Sequence, residues 1–405
     1  MIPKPNKPPT KPSSYRPISL LNTMSKLFEA IIHIRLKKFL HENEIVCPEQ
    51  TGFRHKTATT HQILRLTEAI TSGFNSKMIS HAVFLDLEAA FDRVWTLGLI
   101  HKLQSLEIPL YLVKIIQSFA TERTFSVQVN SSSSFFRPIS SGVPQGAILS
   151  PTLFNLFVND TPTSPSTHLY LYADDTTILS QSSNPEFAAD KLQDHLDNYE
   201  DWAKLWKLSV NASKCTHIVF SKRPKAGEGP SLFFGENRIP KQQIVKYLGV
   251  HMDKKLTWSH HIKTQIRKAK GVRTSLLPLI KASSPLSIKT KLLLYKSTIK
   301  PLLSYASPVW LHAAASHLKR LQTTENVIIR KIVGAPWYIS NRNLRKDLNI
   351  TPLLHCLKSE LHKFAKSLPL TNNKLISHLW DYNLPAKPKH KVPKTAFLPT
   401  HIPSP

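Results

Sequence analysis

The chain has 405 residues, of which 41% are hydrophobic, so it can bury the cores of roughly two or three domains. Its 54 Lys and Arg outnumber 26 Asp and Glu, and the net charge of +28 indicates a polyanionic partner, although a basic protein without one is the simpler alternative. No stretch approaches the roughly 18 consecutive apolar residues of a membrane span, and the dispersed cysteines show neither a disulfide nor a zinc pattern, so we expect an intracellular protein with no membrane partner.

The first 80 residues are predicted to be helical after an extended start. Residues 1–20 are rich in Pro and Lys, and proline both removes a backbone donor and biases the preceding residue away from helix. Apolar residues recur at three- and four-residue spacing from Leu27 to Leu40, which predicts an amphipathic helix. A second helix is expected from about Thr59 to Ile70, after the segment Gln50–Arg54.

The middle of the chain is predicted to form a buried sheet that carries an acid. Residues 82–87 are a continuous apolar run interrupted by Asp86 alone, which is the pattern of a strand covered on both faces. Alternating residues around 125–136 then predict a hairpin, which leads to the pentapeptide 142–146 and an apolar helix over 149–158. The glycines and proline of this pentapeptide are compatible with a simple turn. Its position between the two acidic strands instead favours a role at the same site as the acids.

A second acidic element follows. The β-prone runs His168–Tyr172 and Thr176–Leu179 flank Asp174 and Asp175, so both aspartates are expected at a tight turn. An amphipathic helix, a strand and a hairpin are predicted next, at about Leu192–Trp206, Thr216–Phe220 and Ser231–Val250.

Asp86, Asp174 and Asp175 would lie together if their strands are neighbours in the sheet. Each has an ordinary explanation by itself, because Asp pairs are common in turns and a buried aspartate can be satisfied by local donors. Together they would form a cluster of hard oxygen ligands suited to Mg²⁺. Two such ions can perform nucleotidyl transfer, so we expect two Mg²⁺ ions here. One would lower the pKa of the attacking primer hydroxyl, and the other would hold the triphosphate of the nucleotide.

Six motifs follow one another in a fixed order along the chain. They are Tyr15-Arg-Pro-Ile-Ser-Leu-Leu-Asn22, Gln50-Thr-Gly-Phe-Arg54, Ala90-Phe-Asp-Arg-Val-Trp95, Gly142-Val-Pro-Gln-Gly146, Tyr172-Ala-Asp-Asp175 and Tyr247-Leu-Gly249. With these motifs, the chain from about Ile2 to Leu348 resembles the reverse transcriptases of non-LTR retrotransposons, particularly those of jockey-like mobile elements.

The resemblance implies an α+β fold, that of a right-hand polymerase with fingers, a palm built on an antiparallel sheet, and a helical thumb. We expect fingers at 1–80, the palm with remaining finger elements and a primer-grip hairpin at 81–253, the thumb with a C-terminal helical extension at 254–370, and a basic Pro-rich tail at 371–405. The change at about Lys254 to helices rich in Lys and Arg agrees with this division. The segment Pro385–Lys394 is expected to be disordered.

The resemblance also implies metal ligands, a catalytic lysine, substrate contacts and a primer grip. These are, in that order, Asp86, Asp174 and Asp175; Lys214; Phe91, Gln145, Arg16, Lys26 and Tyr172; and Tyr247, Leu248 and Gly249. Lys214 would assist the departure of pyrophosphate, and Gln145 would line the nucleotide pocket beside the sugar. Arg16 and Lys26 would contact the triphosphate, which a planar guanidinium can bind bidentately. Phe91 would be the steric gate that excludes a ribose 2′-hydroxyl, although simple core packing would also explain it.

The chain departs from the family pattern in two respects. Full-length relatives carry an endonuclease before the polymerase, whereas this chain starts inside the fingers, so we expect no DNA-nicking activity. Ala89 stands where the family frequently has a lysine, which is not a metal ligand. We also expect no ribonuclease H, which needs a carboxylate cluster, because few acids follow Lys254. They are Glu325, Asp347, Glu360 and Asp381.

The predicted function is RNA-directed DNA polymerisation, in which dNTPs are added to the 3′-hydroxyl of a DNA primer or target on an RNA template. The resemblance implies a location in nucleus and cytoplasm, and the sequence carries no signal of oligomeric state. An RNA-dependent RNA polymerase shares such a palm, but Phe91 and the sequence Tyr172–Asp175 favour DNA synthesis. The alternative from another class is a catalytically silent retroelement remnant that acts as an RNA-binding protein.

Overall fold

The computed structural model describes residues 2–3, 8, 10–11, 14–129, 131–223 and 229–380. The strands are β1 Ile2–Pro3, β2 Tyr15–Arg16, β3 Ile79–Asp86, β4 Arg123–Phe125, β5 Gln128–Val129, β6 Ser132–Ser133, β7 Arg137–Ile139, β8 Thr167–Tyr172, β9 Asp175–Ser182, β10 Thr216–Phe220, β11 Phe233–Phe234, β12 Asn237–Arg238, β13 Ile244–Tyr247 and β14 Val250–Asp253. The disordered segment predicted at Pro385–Lys394 lies outside the described residues.

Helices and strands alternate up to Asp253, and the elements described after that residue are helical. The helices are α1 Thr23–Glu42, α2 Thr59–Asn75, α3 Thr96–Ser105, α4 Leu110–Ala120, α5 Ser150–Phe157, α6 Pro185–Leu205, α7 Ser259–Ser275, α8 Leu277–Ile280, α9 Ile288–Leu294, α10 Lys300–Ser304, α11 Ser307–Trp310, α12 Ala315–Val333, α13 Asn341–Leu348, α14 Leu353–Ser367 and α15 Lys374–Ser377. A π-helical turn at Tyr295–Ile299 joins α9 to α10, and 3₁₀ turns cover Leu368–Leu370 and His378–Trp380. No helix among the described residues is both long and apolar enough to cross a membrane.

A four-stranded antiparallel sheet, in the order β10-β3-β9-β8, forms the centre of the molecule and is called the central sheet below. Successive residues of β3 belong to two separate hydrophobic cores. Val83 lies in the core that includes α6, whereas Phe84 lies in the core that includes α2 and β13. The prediction that this acidic strand is covered on both faces is therefore confirmed, and only its last residue, Asp86, is half-buried.

Helix α1 buries a narrower stripe than its spacing predicts. The helix begins after Asn22, whose side-chain oxygen accepts a hydrogen bond from Ser25 N at 2.7 Å. Its buried positions are Glu29, Ile32, Leu36 and Leu40. Leu27, Phe28 and Ile31, which the spacing assigned to the apolar face, are exposed. Periodicity shows which residues share a side of a helix, but it does not show how much of that side a neighbour covers.

The hairpin predicted over Ser231–Val250 is in fact two hairpins. The first, β11–β12, turns at Gly235, and the second, β13–β14, turns at Leu248 and Gly249. Leu248 and Gly249 have φ values of 44° and 85°, so the second turn contains two successive residues with positive φ. The first turn alone has the obvious Gly-containing signal, which explains why the sequence suggested one hairpin.

The C-terminal helical region, residues 254–370, shares one hydrophobic core with α2 and one face of the central sheet. The chain then returns to the N-terminal region. Asn373 Nδ2 donates a hydrogen bond to Pro48 O at 2.7 Å, and Asn372 Nδ2 lies 2.6 Å from His41 Nε2. The tail predicted at 371–405 therefore contains a helix, α15, in a segment that is bonded to the N-terminal region.

Candidate active site

Three aspartates meet at one end of the central sheet. Asp86 is the last residue of β3, and Asp174 and Asp175 lie at the turn between β8 and β9. Asp86 lies directly opposite Asp175 in the register of the sheet. Residues opposite each other in an antiparallel pair have Cα atoms about 4.5–5.5 Å apart, so these carboxylates extend from adjacent positions. The prediction that the acidic strands are neighbours is confirmed.

These carboxyl groups repel one another. Asp175 is exposed as a residue, but the surrounding protein displaces part of the hydration of its carboxyl group. That loss of hydration raises the pKa of Asp175 to about 6, with further contributions from the charges of Asp174 and Asp86. Burial also raises the pKa of Asp174, and Asp86 adds to the shift, whereas a backbone hydrogen bond and the positive charge of Arg16 oppose it. A bound cation would favour the charged form of each carboxyl group.

Lys214 reaches the same place from the loop before β10. Its Nζ atom donates a hydrogen bond to Asp86 Oδ2 at 3.1 Å, and both side chains are about half exposed. The loop is fixed to β3, because Asn211 N donates to Asp86 O at 2.8 Å and Lys214 N donates to Asn211 O at 2.9 Å. The lysine that the sequence suggested as catalytic therefore contacts one of the expected metal ligands.

A divalent cation at this site would need several oxygen ligands arranged around one point. No group of three His, Cys, Asp or Glu side chains in the described part of the chain is arranged so that it could hold a metal ion directly. The ammonium group of Lys214 occupies one oxygen of Asp86. The chemistry of the site nevertheless fits Mg²⁺, because three hard carboxylates converge at one sheet end and repel one another.

The turn that carries Asp174 is supported by Gln50. The Oε1 atom of Gln50 accepts hydrogen bonds from Ala173 N and Gly52 N, both at 2.9 Å, and its Nε2 atom donates to Ala173 O at 3.3 Å. Ala173 has a φ of 55°, a left-handed conformation that residues with a Cβ atom adopt at an energetic cost. Gln50 is fully buried, so its amide group brackets both backbone polar groups of this strained residue.

Thr51 and Gln62 bind the strand that leads into this turn, and Gly52 lies against the turn itself. Thr51 N donates a hydrogen bond to Leu171 O at 2.9 Å, and Gln62 Nε2 donates to the same oxygen at 3.1 Å. A Cβ atom added to Gly52 would lie 2.3 Å from Ala173 N, so only glycine fits here. The motif beginning at Gln50 was visible in the sequence, but nothing in its composition indicates that it supports a turn about 120 residues later.

The pentapeptide 142–146 lies beside the segment that follows β3. Val143 N donates a hydrogen bond to Phe91 O at 2.8 Å, and Gly142 N donates to Val94 O at 2.8 Å. Gly142 has a φ of 86°, and a Cβ atom on it would lie 2.7 Å from Asp92 O. The glycine is therefore required both by backbone conformation and by close approach. The loop is thus more than an isolated turn, because it is bonded to the segment that carries Phe91.

Gln145 and the N-terminal extended segment meet at this loop. Gln145 Nε2 donates a hydrogen bond to Asp92 Oδ1 at 2.9 Å, and Ser19 N donates to Gln145 O at 2.9 Å. The second bond holds the segment that carries Arg16 against the loop. Glu29, a buried acid on α1, accepts hydrogen bonds from the backbone N–H groups that lead into α5. Asp92 and Glu29 were not assigned any role from sequence.

Phe91 is half-buried between two other aromatic rings. Its ring stacks on Phe154 at a centroid distance of 4.8 Å and meets the edge of Phe53 at 6.3 Å. The stack fixes the orientation of the ring, and the incomplete burial leaves part of it available to a ligand. These contacts are compatible with both alternatives, a steric gate and simple core packing.

The other suggested substrate contacts, Arg16, Tyr172 and Lys26, differ in their exposure and in their interactions. Arg16 is exposed and close enough to Asp174 to affect its pKa. Tyr172 is half-buried opposite Asp175, and burial raises its pKa, as do the nearby Tyr305 and Asp175. Lys26 is exposed in the first turn of α1, and its side chain forms no hydrogen bond or ion pair with another described residue.

The suggested primer grip forms the turn between β13 and β14. Tyr247 packs on Phe84 of the central sheet with ring centroids 5.1 Å apart. The hydroxyl group of Tyr305 donates to Leu248 O at 2.7 Å and lies 3.1 Å from Thr59 Oγ1. Tyr305 therefore links the turn to α2 and to the C-terminal helical region. Sequence reasoning missed it because a single Tyr in a helical region carries no local signal.

Comparison with known proteins gives a consistent result. The family profile of reverse transcriptase (RNA-dependent DNA polymerase) matches residues 2–252. The RNA-directed DNA polymerase from mobile element jockey of Drosophila melanogaster is 37% identical over 389 residues, which cover 94% of this chain and 42% of the relative. The probable RNA-directed DNA polymerase from transposon X-element of the same organism is 33% identical over 402 residues, which cover 97% of this chain and 44% of the relative.

This chain thus spans less than half the length of these relatives. Among solved structures, telomerase from Candida tropicalis in complex with a fragment of telomeric RNA has a TM-score of 0.40 and 14% identity, covering 89% of this chain and 57% of that one. The profile match covers more than half of the chain and confirms both the predicted resemblance and the right-hand polymerase fold. The chain belongs to the reverse transcriptase (RNA-dependent DNA polymerase) family.

Proposed function

We propose that this chain is the RNA-directed DNA polymerase of a non-LTR retrotransposon, which transfers dNTPs onto the 3′-hydroxyl of a DNA primer on an RNA template. The observation that carries the proposal is the register of the central sheet, which sets Asp86 opposite Asp175 and next to the turn that holds Asp174. A fold that aligns three carboxylates despite their repulsion provides the ligand set that nucleotidyl transfer needs.

Two Mg²⁺ ions are the proposed cofactor, and Asp86, Asp174 and Asp175 would hold them. When bound, such ions lower the pKa of the primer hydroxyl and neutralise the charge of the triphosphate. Gln50 and Gly52 support the left-handed conformation of Ala173 in the turn that carries Asp174. These two residues act through the turn and are positioning residues.

The remaining side chains bind or exclude parts of the nucleotide. Lys214, which donates to Asp86 in this structure, would assist the departure of pyrophosphate by donating a hydrogen bond to it. Arg16, held near Asp174, would bind the triphosphate, and Lys26 would add charge from α1. The ring of Phe91 would occupy the space of a ribose 2′-hydroxyl, and Gln145 would line the sugar side of the same pocket.

The proposed partners are an RNA template, a DNA primer or target, and dNTPs. Tyr172 would contact the primer–nucleotide junction, and the turn Tyr247–Gly249, tied to Tyr305, would hold the primer strand. Nuclear and cytoplasmic location is part of the same proposal. The net charge of +28 supports binding of both nucleic acid strands.

Primer extension tests this proposal. The purified chain is given an RNA template, a labelled DNA primer, dNTPs and Mg²⁺, with Asp174→Asn as the matched inactive control. We expect extension by the wild type and none by the variant. Binding of the primer–template by the wild type without any extension would instead identify the chain as a catalytically silent RNA-binding remnant.

A further inference from the structure

Two large aromatic side chains lie exposed at the connection between α12 and α13. Trp337 is 90% exposed and Tyr338 is 71% exposed. The other tryptophans whose side chains are described are buried or half-buried, namely Trp95, Trp202, Trp206, Trp258 and Trp310. Exposed aromatic surface of this size is unfavourable in water and marks an interaction site more often than scattered aliphatic exposure does.

The connection is held in one conformation by Arg330. Its guanidinium group donates hydrogen bonds to Asn341 Oδ1 at 3.0 Å, to Pro336 O at 2.8 Å and to Ile339 O. At the far end, the Ser340 hydroxyl accepts from Asn343 N at 3.1 Å and begins α13. Arg330 therefore serves the loop itself. A backbone fixed in this way lowers the entropic cost of binding, because the loop that carries the two rings does not have to be ordered first.

The two rings are arranged as a T-shaped pair, with centroids 6.0 Å apart and an interplanar angle of 79°. Perpendicular rings do not cover each other's faces. Because Trp337 is almost fully exposed, its flat surface is free to accept another planar group. The geometry is thus open to stacking.

The surroundings of the pair are basic. Lys331 in the last turn of α12, and Arg342 and Lys346 on α13, are exposed and form no ion pair within the described residues. The acids of the C-terminal helical region are few, and one of them is fully buried. They are Glu325, Asp347 and Glu360. A surface of aromatic rings among cations matches a strand of bases and phosphates, whereas a protein partner would have to be unusually acidic.

We propose that Trp337 and Tyr338 form a stacking platform for unpaired bases of a single-stranded nucleic acid, whose phosphates lie along Lys331 and Arg342. Stacking on aromatic rings tolerates any base, because every base has a π-face. The inference goes beyond the proposed polymerase function, since binding at this platform needs neither metal nor nucleotide.

Binding measurements without dNTPs or Mg²⁺ test the platform separately from polymerisation. The probes are a labelled single-stranded RNA and an abasic strand of the same length and phosphate number. For the double variant Trp337→Ala/Tyr338→Ala, we expect affinity for the RNA to fall by about 5-fold to 150-fold for each base that loses its stacking partner. Affinity for the abasic strand should not change. The salt dependence of RNA binding should keep its slope, because no phosphate contact is removed.

Two matched variants separate stacking from other effects. Trp337→Phe/Tyr338→Phe keeps the rings and should retain most of the affinity. Phe135→Ala/Phe136→Ala removes an equally exposed pair from the loop after β6 and should leave the difference between RNA and abasic strand intact. Equal loss of both probes, or no loss, in the Trp337→Ala/Tyr338→Ala variant would overturn the proposal.

Photo-crosslinking of the unaltered protein provides a second measurement that does not depend on how the variants fold. RNA that contains 5-iodouridine is bound, irradiated and digested, and the adducts are located by mass spectrometry. We expect adducts on Trp337 or Tyr338. Crosslinks confined to other parts of the chain would contradict the platform, and an inactive polymerase with this adduct would refute only the proposed enzymatic function.

Discussion

The acids of the central sheet and the buried acid of the C-terminal helical region have opposite electrostatic environments. Glu325 on α12 is only 1% exposed, and both its oxygens are filled by the protein. Tyr295 Oη donates to Oε1 at 2.6 Å, while Arg345 Nη2 and Leu353 N donate to Oε2 at 2.5 and 2.9 Å. At the sheet, Asp174 and Asp175 face Asp86 and each other, and their pKa values are raised.

The difference separates a structural acid from the proposed metal ligands. The charge of Glu325 is balanced by Arg345, and its hydrogen bonds join several helices. Its oxygens are therefore not available to a ligand. At the sheet, the negative charges oppose one another, and the hydrogen bond from Lys214 compensates only one oxygen of Asp86. Such local conflict is expected where a site is maintained for binding or catalysis and not for stability.

The largest expected effect comes from removing a sheet carboxylate. Asp86→Asn or Asp174→Asn should reduce primer extension by about 10³-fold or more, because each removes ligand charge from the reacting centre. Asp175→Asn should be severe but leave a trace of activity. Template binding, measured by filter retention, should stay nearly unchanged, since the basic surface is intact. Near-normal extension by either of the first two variants would refute the metal assignment.

Removing the buried acid should act on stability. Glu325→Gln leaves the Arg345 guanidinium buried without a compensating charge, and we expect the free energy of unfolding to fall by about 3–5 kcal/mol. The matched control is Glu42→Gln, which breaks an exposed ion pair with Lys38 and should cost about 0.5 kcal/mol or less. Chemical denaturation measures both. A loss for Glu325→Gln as small as that of the control would show that Glu325 does not stabilise the C-terminal helical region.

Gln50→Ala sharpens the contrast, because Gln50 is buried yet serves the functional site. Loss of its bonds to Ala173 should displace the turn that carries Asp174 and lower the rate of extension by about 10²-fold. Gln62→Ala is the matched control, since Gln62 is equally buried but bonds to Leu171 O in the strand. The control should lose comparable stability and keep most of its activity. Parallel losses of activity would assign Gln50 a merely structural role.

Phe91 should give a smaller, more selective effect. Phe91→Ala opens the space beside the sugar, and we expect the relative use of rNTPs over dNTPs to rise by about 10-fold to 200-fold. Phe157→Leu, which removes a buried ring of the same helix that packs on Trp206, should lower stability with little change in sugar choice. Competition between rNTPs and dNTPs measures the ratio. A wild-type enzyme that already uses both equally would rule out the steric gate.

The sequence was informative where a signal is local. The strand that ends at Asp86 and the turn at Asp174 could be predicted because apolar runs interrupted only by acids have few interpretations. The antiparallel neighbourhood of these strands followed from the family resemblance. The roles of Phe91, Gln145 and Lys214 remain predictions, supported by their positions near the carboxylates or the loop beside them.

Contacts between distant segments could not be predicted from local patterns. Gln50 supports a turn at Ala173, Glu29 binds the backbone before α5, and Tyr305 holds Leu248 O, and each pair lies far apart in the chain. A single polar residue has no periodicity, so its partner becomes evident only when the fold is known. The same reason explains why the exposed side of α1 was not foreseen.

We expect a divalent cation to relieve the repulsion between the sheet carboxylates, and thermal unfolding with and without Mg²⁺ tests this expectation. Because the pKa of Asp175 is raised from 3.8 to about 6, the folded state binds the proton more tightly, so its contribution to stability is largest below about pH 4 and falls as the pH rises towards 6. Mg²⁺ should therefore raise the Tm of the wild type at pH 8, and raise it less at pH 5. The Asp174→Asn/Asp175→Asn variant should show no rise in Tm with Mg²⁺ at either pH and should lose the part of the pH dependence that Asp175 contributes. Equal responses of wild type and variant to Mg²⁺ and pH would contradict this account.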